Sequence, residues 1–192
     1  MSKLFNKSIS IIGGAGHVGF PLGLVFSSKN FHVTLVDKNQ KNINKINSGK
    51  VPFLEEKSKP LLTASLKKKK IIATNNLYEV KKTKFIIVCI GTPITNNLNP
   101  SLKPFINFFK HLKPFLRKDH IIIIRSSIYP GICDKIYKLI SNKCKNISYC
   151  PERIVQGKSI TELPKLSQLV SGKNKKSISE SGKIFKKICK KI

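Results

Sequence analysis

The stretch Ser10-Ile11-Ile12-Gly13-Gly14-Ala15-Gly16-His17-Val18-Gly19 decides the fold of this chain of 192 residues. The pattern G-x-G-x-x-G falls within it, at Gly14, Gly16 and Gly19. It directly follows residues 9–12, a short apolar run rich in β-branched residues that is typical of a strand. A lone match to this pattern is weak evidence, so the segments that follow decide its meaning.

The next segments complete a strand-helix-strand unit. Apolar residues after Gly19 predict a helix to about Lys29, and residues 32–36 form a second apolar run. That run ends in Asp37, about 20 residues beyond Gly16, where an acid is expected in a dinucleotide-binding βαβ unit. The sequence therefore predicts a phosphate cradle at the first strand-to-helix turn.

Each residue type has a physical role in such a cradle. Gly14 permits the tight turn, Gly16 lets the backbone approach a pyrophosphate, and Gly19 lets the helix pack closely on the strand. The start of the helix offers unpaired N–H groups and the positive end of its dipole to phosphates. Asp37 would accept hydrogen bonds from a ribose diol and repel a 2′-phosphate, which favours NAD, although Lys38 beside it leaves that preference open. The alternative is a glycine-rich turn that binds no ligand.

The rest of the chain alternates short apolar runs with longer amphipathic stretches. Strands are predicted over residues 9–12, 32–36, 71–73, 85–90, 121–124, 147–149 and 168–170. Helices are predicted over about 17–29, 40–47, 59–69, 102–116, 132–141 and 176–191, and loops over 96–100 and 151–164. Runs that are apolar throughout are typical of parallel strands covered on both faces. We therefore predict one α/β domain over residues 1–192, with a Rossmann-type doubly wound, mostly parallel sheet and helices on both faces.

The composition is strongly basic, with 37 Lys and Arg against 9 Asp and Glu and a formal net charge of +28. Such a charge attracts nucleic-acid backbones. However, Arg, which nucleic-acid sites favour for its bidentate fork, occurs only at positions 117, 125 and 153. The excess of Lys comes with an excess of Ile and Asn, so we interpret it as a bias across the whole chain. No specific nucleic-acid partner is predicted.

Two further absences limit the possible classes of protein. No stretch approaches the roughly 18 consecutive apolar residues of a membrane span, so no membrane association is predicted. The five cysteines are an odd number without paired C-x-x-C spacing. They predict neither a disulfide framework nor a metal site, and they favour a reducing cytoplasm.

Five segments, in order, resemble motifs of the UDP-glucose/GDP-mannose dehydrogenase family. They are residues 13–22 (GGAGHVGFPL), 51–56 (VPFLEE), 91–93 (GTP), 125–131 (RSSIYPG) and 149–157 (YCPERIVQG). The resemblance covers about residues 8–172. Arg153 after Glu152 is more similar to the branch acting on UDP-N-acetylhexosamines than to UDP-glucose dehydrogenases.

The resemblance implies an NAD-dependent enzyme that oxidises the C6 alcohol of a UDP-sugar to a carboxylate through two hydride transfers. In the family, a cysteine of a later domain holds the intermediate as a thioester. The implied cofactor-binding residues are Gly14, Gly16, His17, Val18, Gly19, Asp37, Lys38, Thr92 and Ser127. The implied catalytic residues, in supporting roles, are Ser127 and Glu152. Glu152 and Arg153 are the implied substrate-binding residues, and no metal is expected.

Several of these residues also have a purely structural interpretation. Thr92 would then be a turn residue before a proline, and Ser126 and Ser127 would cap the helix that follows residue 130. Glu152 would pair with Arg153 or a nearby Lys in a solvated loop. The residues alone favour these alternatives, and only the resemblance favours function.

The chain departs from the family pattern in two ways. Gln156 stands where many members carry Glu, and a neutral amide cannot act as a general base. No segment matches the family's catalytic Lys, Asn and Cys motifs, and none of the five cysteines has a glycine directly beside it. The expectation is a cofactor half that cannot complete the oxidation alone.

Three explanations for that half remain open: a fragment, a split gene product paired with a separate chain that carries the missing domains, or a decaying remnant. The alternative function is a non-catalytic NAD-binding module. A basic nucleic-acid-binding protein ranks third, because the sequence has no recognised reading motif.

Overall fold

The computed structural model of the chain describes residues 5–91 and 102–192, which build a seven-stranded sheet. The strands are β1 (Ser8–Ile12), β2 (His32–Val36), β3 (Ile71–Thr74), β4 (Phe85–Val88), β5 (Ile121–Ile124), β6 (Ile147–Tyr149) and β7 (Ser171–Gly172). Their order is β3-β2-β1-β4-β5-β6-β7. The first six are parallel and β7 is antiparallel to β6. The parallel part has the strand order of a Rossmann fold, which confirms the predicted fold class.

Helices cover both faces of this sheet. They are α1 (Gly19–Ser28), α2 (Gln40–Asn47), α3 (Ser58–Lys67), α4 (Leu102–Leu112), α5 (Ile132–Ile140), α6 (Ser159–Glu162) and α7 (Lys175–Phe185). Short 3-10 turns lie at Phe5–Lys7, Leu77–Lys82 and Lys113–Phe115. No helix in the described ranges is long and apolar enough to cross a bilayer.

The all-apolar strands form the middle of two cores. In β5, Ile121 and Ile123 pack with residues of α1, α3 and α7, whereas Ile122 and Ile124 pack with residues of α4 and α5. Successive side chains of a strand point to opposite faces, so a strand between two helical layers must be apolar at every position. This requirement explains why the uninterrupted isoleucine run is a central strand.

Three predicted bounds are corrected by the structure. The strand predicted over residues 85–90 ends at Val88, because the chain then turns at the edge of the sheet. The helix predicted over 102–116 ends at Leu112 and continues as a 3-10 turn that contains Pro114, which cannot donate a helical hydrogen bond. The last helix ends at Phe185 rather than at residue 191.

The final predicted strand was also wrong. Residues 168–170 pair with no neighbouring strand, and β7 lies just after them, at Ser171–Gly172. The Gln168 N–H instead donates to the Lys191 carbonyl at 2.9 Å, and its side chain is buried in a polar network. The predicted loop 151–164 contains the short helix α6. The loop predicted over 96–100 lies outside the described residues.

Candidate cofactor site

The turn after β1 is made by Gly13 rather than by Gly14. Gly13 has a left-handed backbone conformation, with φ of +74°, and a Cβ on it would lie 2.7 Å from the Cys89 carbonyl oxygen. Its N–H and that of Gly14 both donate to the Val36 carbonyl, at 2.9 and 3.2 Å. The role of tight-turn glycine therefore belongs to Gly13, one residue before the predicted position.

Gly14 and Gly19 allow close packing of the backbone. A Cβ on Gly14 would lie 2.7 Å from the Leu35 Cα of β2. A Cβ on Gly19 would lie 2.8 Å from the Gly14 Cα. Any side chain at either position would therefore force the first helix away from the sheet.

Gly16 differs from its neighbours because it faces open space. A Cβ there would meet only the Gly13 carbonyl oxygen within 4 Å, at 3.3 Å, and Gly16 lines a large cleft. The missing side chain is therefore not required by packing. It leaves the backbone accessible from the cleft, as close approach of a pyrophosphate requires.

The backbone around this turn carries the N–H groups that begin α1. The first helical hydrogen bond of α1 runs from the Phe20 N–H to the Gly16 carbonyl, at 3.0 Å. The N–H groups of residues 17–19 precede that bond, where a helix leaves donors without intrahelical partners. Together with the helix dipole, they form an anion-binding end.

Asp37 lies at the end of β2 and connects to the cradle. Its Oδ2 accepts from the Ala15 N–H at 2.9 Å, and its Oδ1 accepts from the Asn39 N–H at 3.0 Å. The carboxylate is half-buried and lines the cleft, as does the exposed Lys38. Each carboxylate oxygen keeps acceptor capacity for a ribose hydroxyl.

The cleft has a volume of about 580 Å³, which is within the range of small-molecule sites. Besides the cradle, the Asp37 end and the polar Asn75, its walls are mostly apolar. They include Leu77, Ile90, Pro104, Phe105 and Phe108. An apolar slot beside a cradle and an acid fits a dinucleotide, with a base against the apolar wall and the phosphates at Gly16. Thr92, predicted to lie near the cofactor, is outside the described residues.

His17 and Val18 stand at the start of α1. The exposed His17 ring stacks on Phe53, with ring centroids 3.9 Å apart, and Val18 is the residue that precedes the helix. Phe53 also contacts Phe20 edge-on, at 5.7 Å. The segment 51–56, which resembles a family motif, thus packs directly on the cradle.

The same segment reaches the loop after β6. Glu55 is buried, and its carboxylate accepts from the Ser159 hydroxyl at 3.3 Å and the Ile160 N–H at 3.2 Å. The Glu56 N–H donates to the Gly157 carbonyl at 2.9 Å. Residues 51–56 therefore bridge the cradle and the loop that carries the candidate substrate residues.

Ser126 and Ser127 follow β5, but neither caps the next helix. The residue before α5 is Gly131, and no side chain caps that helix end. Ser126 donates instead to the Ile90 carbonyl at 2.6 Å, which ties β5 to the end of the neighbouring strand. Ser127 is exposed at the carboxyl edge of the sheet, on the same side as the cradle. The capping alternative is therefore wrong.

Glu152 is paired with a buried arginine rather than with Arg153 or a lysine. Arg125 is 1% exposed, and its Nε and Nη2 both lie 2.5 Å from Glu152 Oε2. Glu152 Oε1 accepts from the Arg153 and Ile154 N–H groups, at 2.8 and 3.1 Å. The interpretation of Glu152 as part of a solvated loop is therefore wrong, and Arg125 is a site-region residue that sequence reasoning missed. The sequence signal that could have identified Arg125 is a charged residue directly after four isoleucines.

Arg153 itself is exposed at the other side of that loop. Its Nη2 donates to the Ser167 carbonyl, which holds the side chain over the segment before β7. The structure therefore brings the cradle, Asp37, Ser127 and Glu152 to one edge of the sheet, and it leaves Arg153 turned to solvent there.

Burial keeps the thiols protonated. It raises the pKa of Cys89 and of Cys150 to about 12 and that of Cys144 to about 11. Burial also raises the pKa of Cys133 and of Cys189. Because the thiolate is the nucleophile, none of the five is activated for covalent catalysis.

The strand order, the glycine turn and the terminal acid together define a dinucleotide-binding domain of the Rossmann class. The family model of the UDP-glucose/GDP-mannose dehydrogenase family, NAD binding domain, matches residues 7–190. The chain belongs to this family, and its cofactor is NAD.

The relatives of this chain are nucleotide-sugar dehydrogenases. A UDP-N-acetyl-D-mannosamine dehydrogenase of Methanococcus aeolicus is 31% identical over 95% of this chain and 42% of its own length. One of Methanococcus maripaludis is 29% identical over 94% of this chain and 42% of its own length. The chain thus spans less than half the length of these relatives.

Solved structures share the fold. A UDP-D-ManNAc dehydrogenase from Pyrococcus horikoshii has a TM-score of 0.88 at 24% identity, covering 96% of this chain and 45% of its own. A GDP-mannose dehydrogenase from Pseudomonas aeruginosa has a TM-score of 0.85 at 22% identity, covering 96% and 46%.

Proposed function

We propose that this chain supplies the NAD-binding half of an enzyme that oxidises the C6 alcohol of a UDP-sugar to the carboxylate. The observation that carries the proposal is Gly16, which faces an open cleft for no packing reason, in a chain that belongs to a dehydrogenase family. NAD, when bound, accepts the hydride removed from the alcohol carbon. The domain occupies residues 1–192 as a single unit.

The chain's own residues bind and orient in this proposal. Gly16, with the N–H groups of His17 and Val18, holds the pyrophosphate at the start of α1, and Gly14 and Gly19 serve the site by letting the helix pack closely on the sheet. Asp37 accepts the ribose diol, and Lys38 lies beside it at the mouth of the cleft. Ser127, exposed after β5 at the carboxyl edge of the sheet, lies along the cofactor, because ligands sit at that edge in open α/β sheets. Thr92 is proposed as a further cofactor residue on the family resemblance.

The substrate class follows from the relatives. Curated relatives named as UDP-N-acetyl-D-mannosamine dehydrogenases favour a UDP-N-acetylhexosamine. Glu152 and Arg153, in the loop after β6, are the residues proposed to lie towards that sugar. The carboxylate product fits a role in polysaccharide biosynthesis, and one relative is the protein CapL of Staphylococcus aureus.

The covalent step needs residues from outside this chain. Thioester chemistry requires a thiolate, and burial raises the pKa of all five thiols here. We therefore propose that the remaining domains, on the same polypeptide or a separate chain, supply the nucleophile. The five free thiols favour a reducing compartment, so we place the enzyme in the cytoplasm.

A second candidate is a non-catalytic NAD-binding module. The raised pKa values of the thiols favour it, because none of them is activated as a nucleophile. The two candidates differ in one outcome: only the enzyme half gives UDP-sugar-dependent NADH once the remaining domains of a relative are supplied.

The experiment that tests the cofactor site is a calorimetric titration of NAD against the chain and its Gly16→Val variant. The variant should lose at least about a hundredfold in affinity, and its melting temperature is measured alongside, because its Cβ lies 3.3 Å from the Gly13 carbonyl oxygen, which must shift by a few tenths of an ångström. Gly182→Ala, in α7 and outside the cleft, where a Cβ would meet its nearest atom at 3.7 Å, is the control and should bind NAD as the natural chain does. Equal affinity of the Gly16 variant and the natural chain would refute the cradle.

A further inference from the structure

A buried polar network lies at the carboxyl end of β5 and β6, beside the cofactor cleft. Arg125 is its centre, and all three of its guanidinium nitrogens have partners. Nε and Nη2 contact Glu152 Oε2 at 2.5 Å, and Nη1 donates to Gln168 Oε1 at 2.8 Å and to the Cys150 carbonyl at 3.3 Å. The guanidinium carbon lies 5.1 Å from the centre of the Phe185 ring.

The network holds one loop at several points. Glu152 Oε1 accepts from two backbone N–H groups of its own loop, and Gln168 Nε2 donates to the Pro151 carbonyl at 3.2 Å. The residues that hold residues 150–154 therefore come from the end of β5 and the segment before β7, and Phe185 at the end of α7 packs on Arg125. A buried, fully bonded group of this kind specifies one conformation of the loop.

Every contact of the Glu152 carboxylate is with a donor. Two guanidinium nitrogens and two amide N–H groups surround it, and the side chain is 13% exposed. A carboxylate that accepts from four donors is held in one orientation by them. In this site Glu152 is an anchor for Arg125.

The position of the network relates it to one half of the cofactor. A dinucleotide lies across the point where the strand order reverses, which here is between β1 and β4. Asp37 at β2 marks the adenosine side, so the nicotinamide side falls over β4, β5 and β6. Arg125 and Glu152 follow β5 and β6 and thus stand on that side.

We propose that Arg125 and Glu152 act as positioning residues, which fix the loop 150–157 against the nicotinamide half of NAD. This inference rests on the proposed function, since it presumes that NAD occupies the cleft. It assigns Glu152 an orienting role. The conformation of the loop then depends on Arg125, to which the family resemblance assigned no role. Binding of the adenosine half, which we propose is held by Gly16 and Asp37, should not depend on the network.

The test compares NAD with ADP-ribose, which lacks the nicotinamide ring. The Glu152→Gln variant keeps the shape of the side chain and an oxygen that can accept from the backbone N–H groups. Because the amide is neutral, it cannot balance the charge of Arg125. Its affinity for NAD should fall about fivefold or more, while that for ADP-ribose stays within about twofold of the natural chain. Both affinities are measured by calorimetry, together with the melting temperature and hydrogen exchange of residues 150–157.

The matched control is Glu180→Gln at the opposite end of the sheet. Glu180 also pairs with a cation at 2.5 Å, Lys84 before β4, in a partly buried position. This variant should lower the melting temperature without changing the ratio of the two affinities. If Glu152 has a merely structural role, Glu152→Gln should likewise lower the melting temperature and leave the ratio of the two affinities unchanged.

A second variant keeps the test decisive if Glu152→Gln does not fold. Gln168→Ala removes an uncharged partner of Arg125, together with hydrogen bonds to the Pro151 and Leu169 carbonyls, and should shift the affinity ratio in the same direction. An unchanged ratio in the variants that fold, or the same shift in Glu180→Gln, would overturn the inference. Failure of the natural chain to bind either ligand would refute the proposed function instead.

Discussion

A side chain would have a different effect at each glycine of the motif. At Gly14 a Cβ would collide with β2, and at Gly13 with the backbone after β4, so both positions are required by the fold. At Gly16 a Cβ would meet one atom, at 3.3 Å, so packing constrains that position less, and it is the position that we propose approaches the pyrophosphate. The same residue type is thus under different constraints two residues apart.

The preference for NAD over NADP is a second property of single residues. Asp37→Asn keeps an oxygen for one of its two backbone donors but removes the charge that repels a 2′-phosphate. We expect the affinity for NAD to fall about tenfold, the loss of a charge-assisted hydrogen bond, while the affinity for NADP falls less or rises. Calorimetric titration of both cofactors measures this.

The matched change for this prediction is Lys38→Gln in the Asp37→Asn background. Removing the neighbouring cation should weaken NADP binding and leave NAD binding little changed. If Asp37→Asn lowers both affinities by the same factor, Asp37 does not select between the two cofactors.

At the scale of an element, the turn into β5 carries a buried histidine. His120 is fully buried; its Nδ1 accepts from the Arg117 N–H at 3.1 Å, and Nε2 has no partner among the described residues. Burial, with a smaller effect of the Arg117 charge, lowers the pKa of His120 to about 4. The folded chain therefore holds this imidazole neutral.

This histidine makes the stability of the domain depend on pH. The unfolded chain protonates His120 below its ordinary pKa of 6.5, whereas the folded chain does so only near 4. Stability should therefore be lost as the pH falls from about 6.5 to 4, by at most about 3 kcal/mol from this group. Urea unfolding at pH 7 and pH 4.5 measures the loss.

The comparison for this prediction is His120→Gln, which keeps an acceptor but does not titrate. The variant should be less stable than the natural chain at pH 7, and its stability should fall less between pH 7 and pH 4.5. Parallel stability curves for the two proteins over that range would show that another group causes the acid sensitivity.

At the scale of the whole molecule, the charge of +28 has consequences independent of the cofactor site. Lysines repel one another across the surface, and dissolved salt shortens the range of that repulsion. Raising NaCl from about 0.05 M to about 0.5 M should therefore raise the melting temperature and release any bound DNA. Scanning calorimetry and fluorescence anisotropy with labelled duplexes measure the two effects.

Gly16→Val separates this general attraction from the cofactor site. DNA binding should be the same in the variant and the natural chain, because it depends on net charge. A DNA affinity that survives 0.5 M salt and depends on sequence would contradict the interpretation of the charge as a bias of composition.

The sequence predicted most of the fold because its signals are local. An all-apolar run such as residues 121–124 has only one stable place, between two helical layers, and glycines before a helix limit the turn that can form. Element ends were less certain, as the last strand shows. β7 consists of Ser171 and Gly172, and neither residue type favours a strand; pairing with β6 creates it.

The cradle, Asp37 and the parallel α/β architecture were thus determined by the sequence itself, because each depends on residues close together in the chain. Only the tertiary structure decided that Arg125 pairs with Glu152 and Gln168, and that Glu55 meets the start of α6. Those partners are far apart in the chain, and the strand order brings them together. The buried charges of Arg125 and Glu152 are stabilised only because the fold places them side by side, and no local sequence pattern shows that contact.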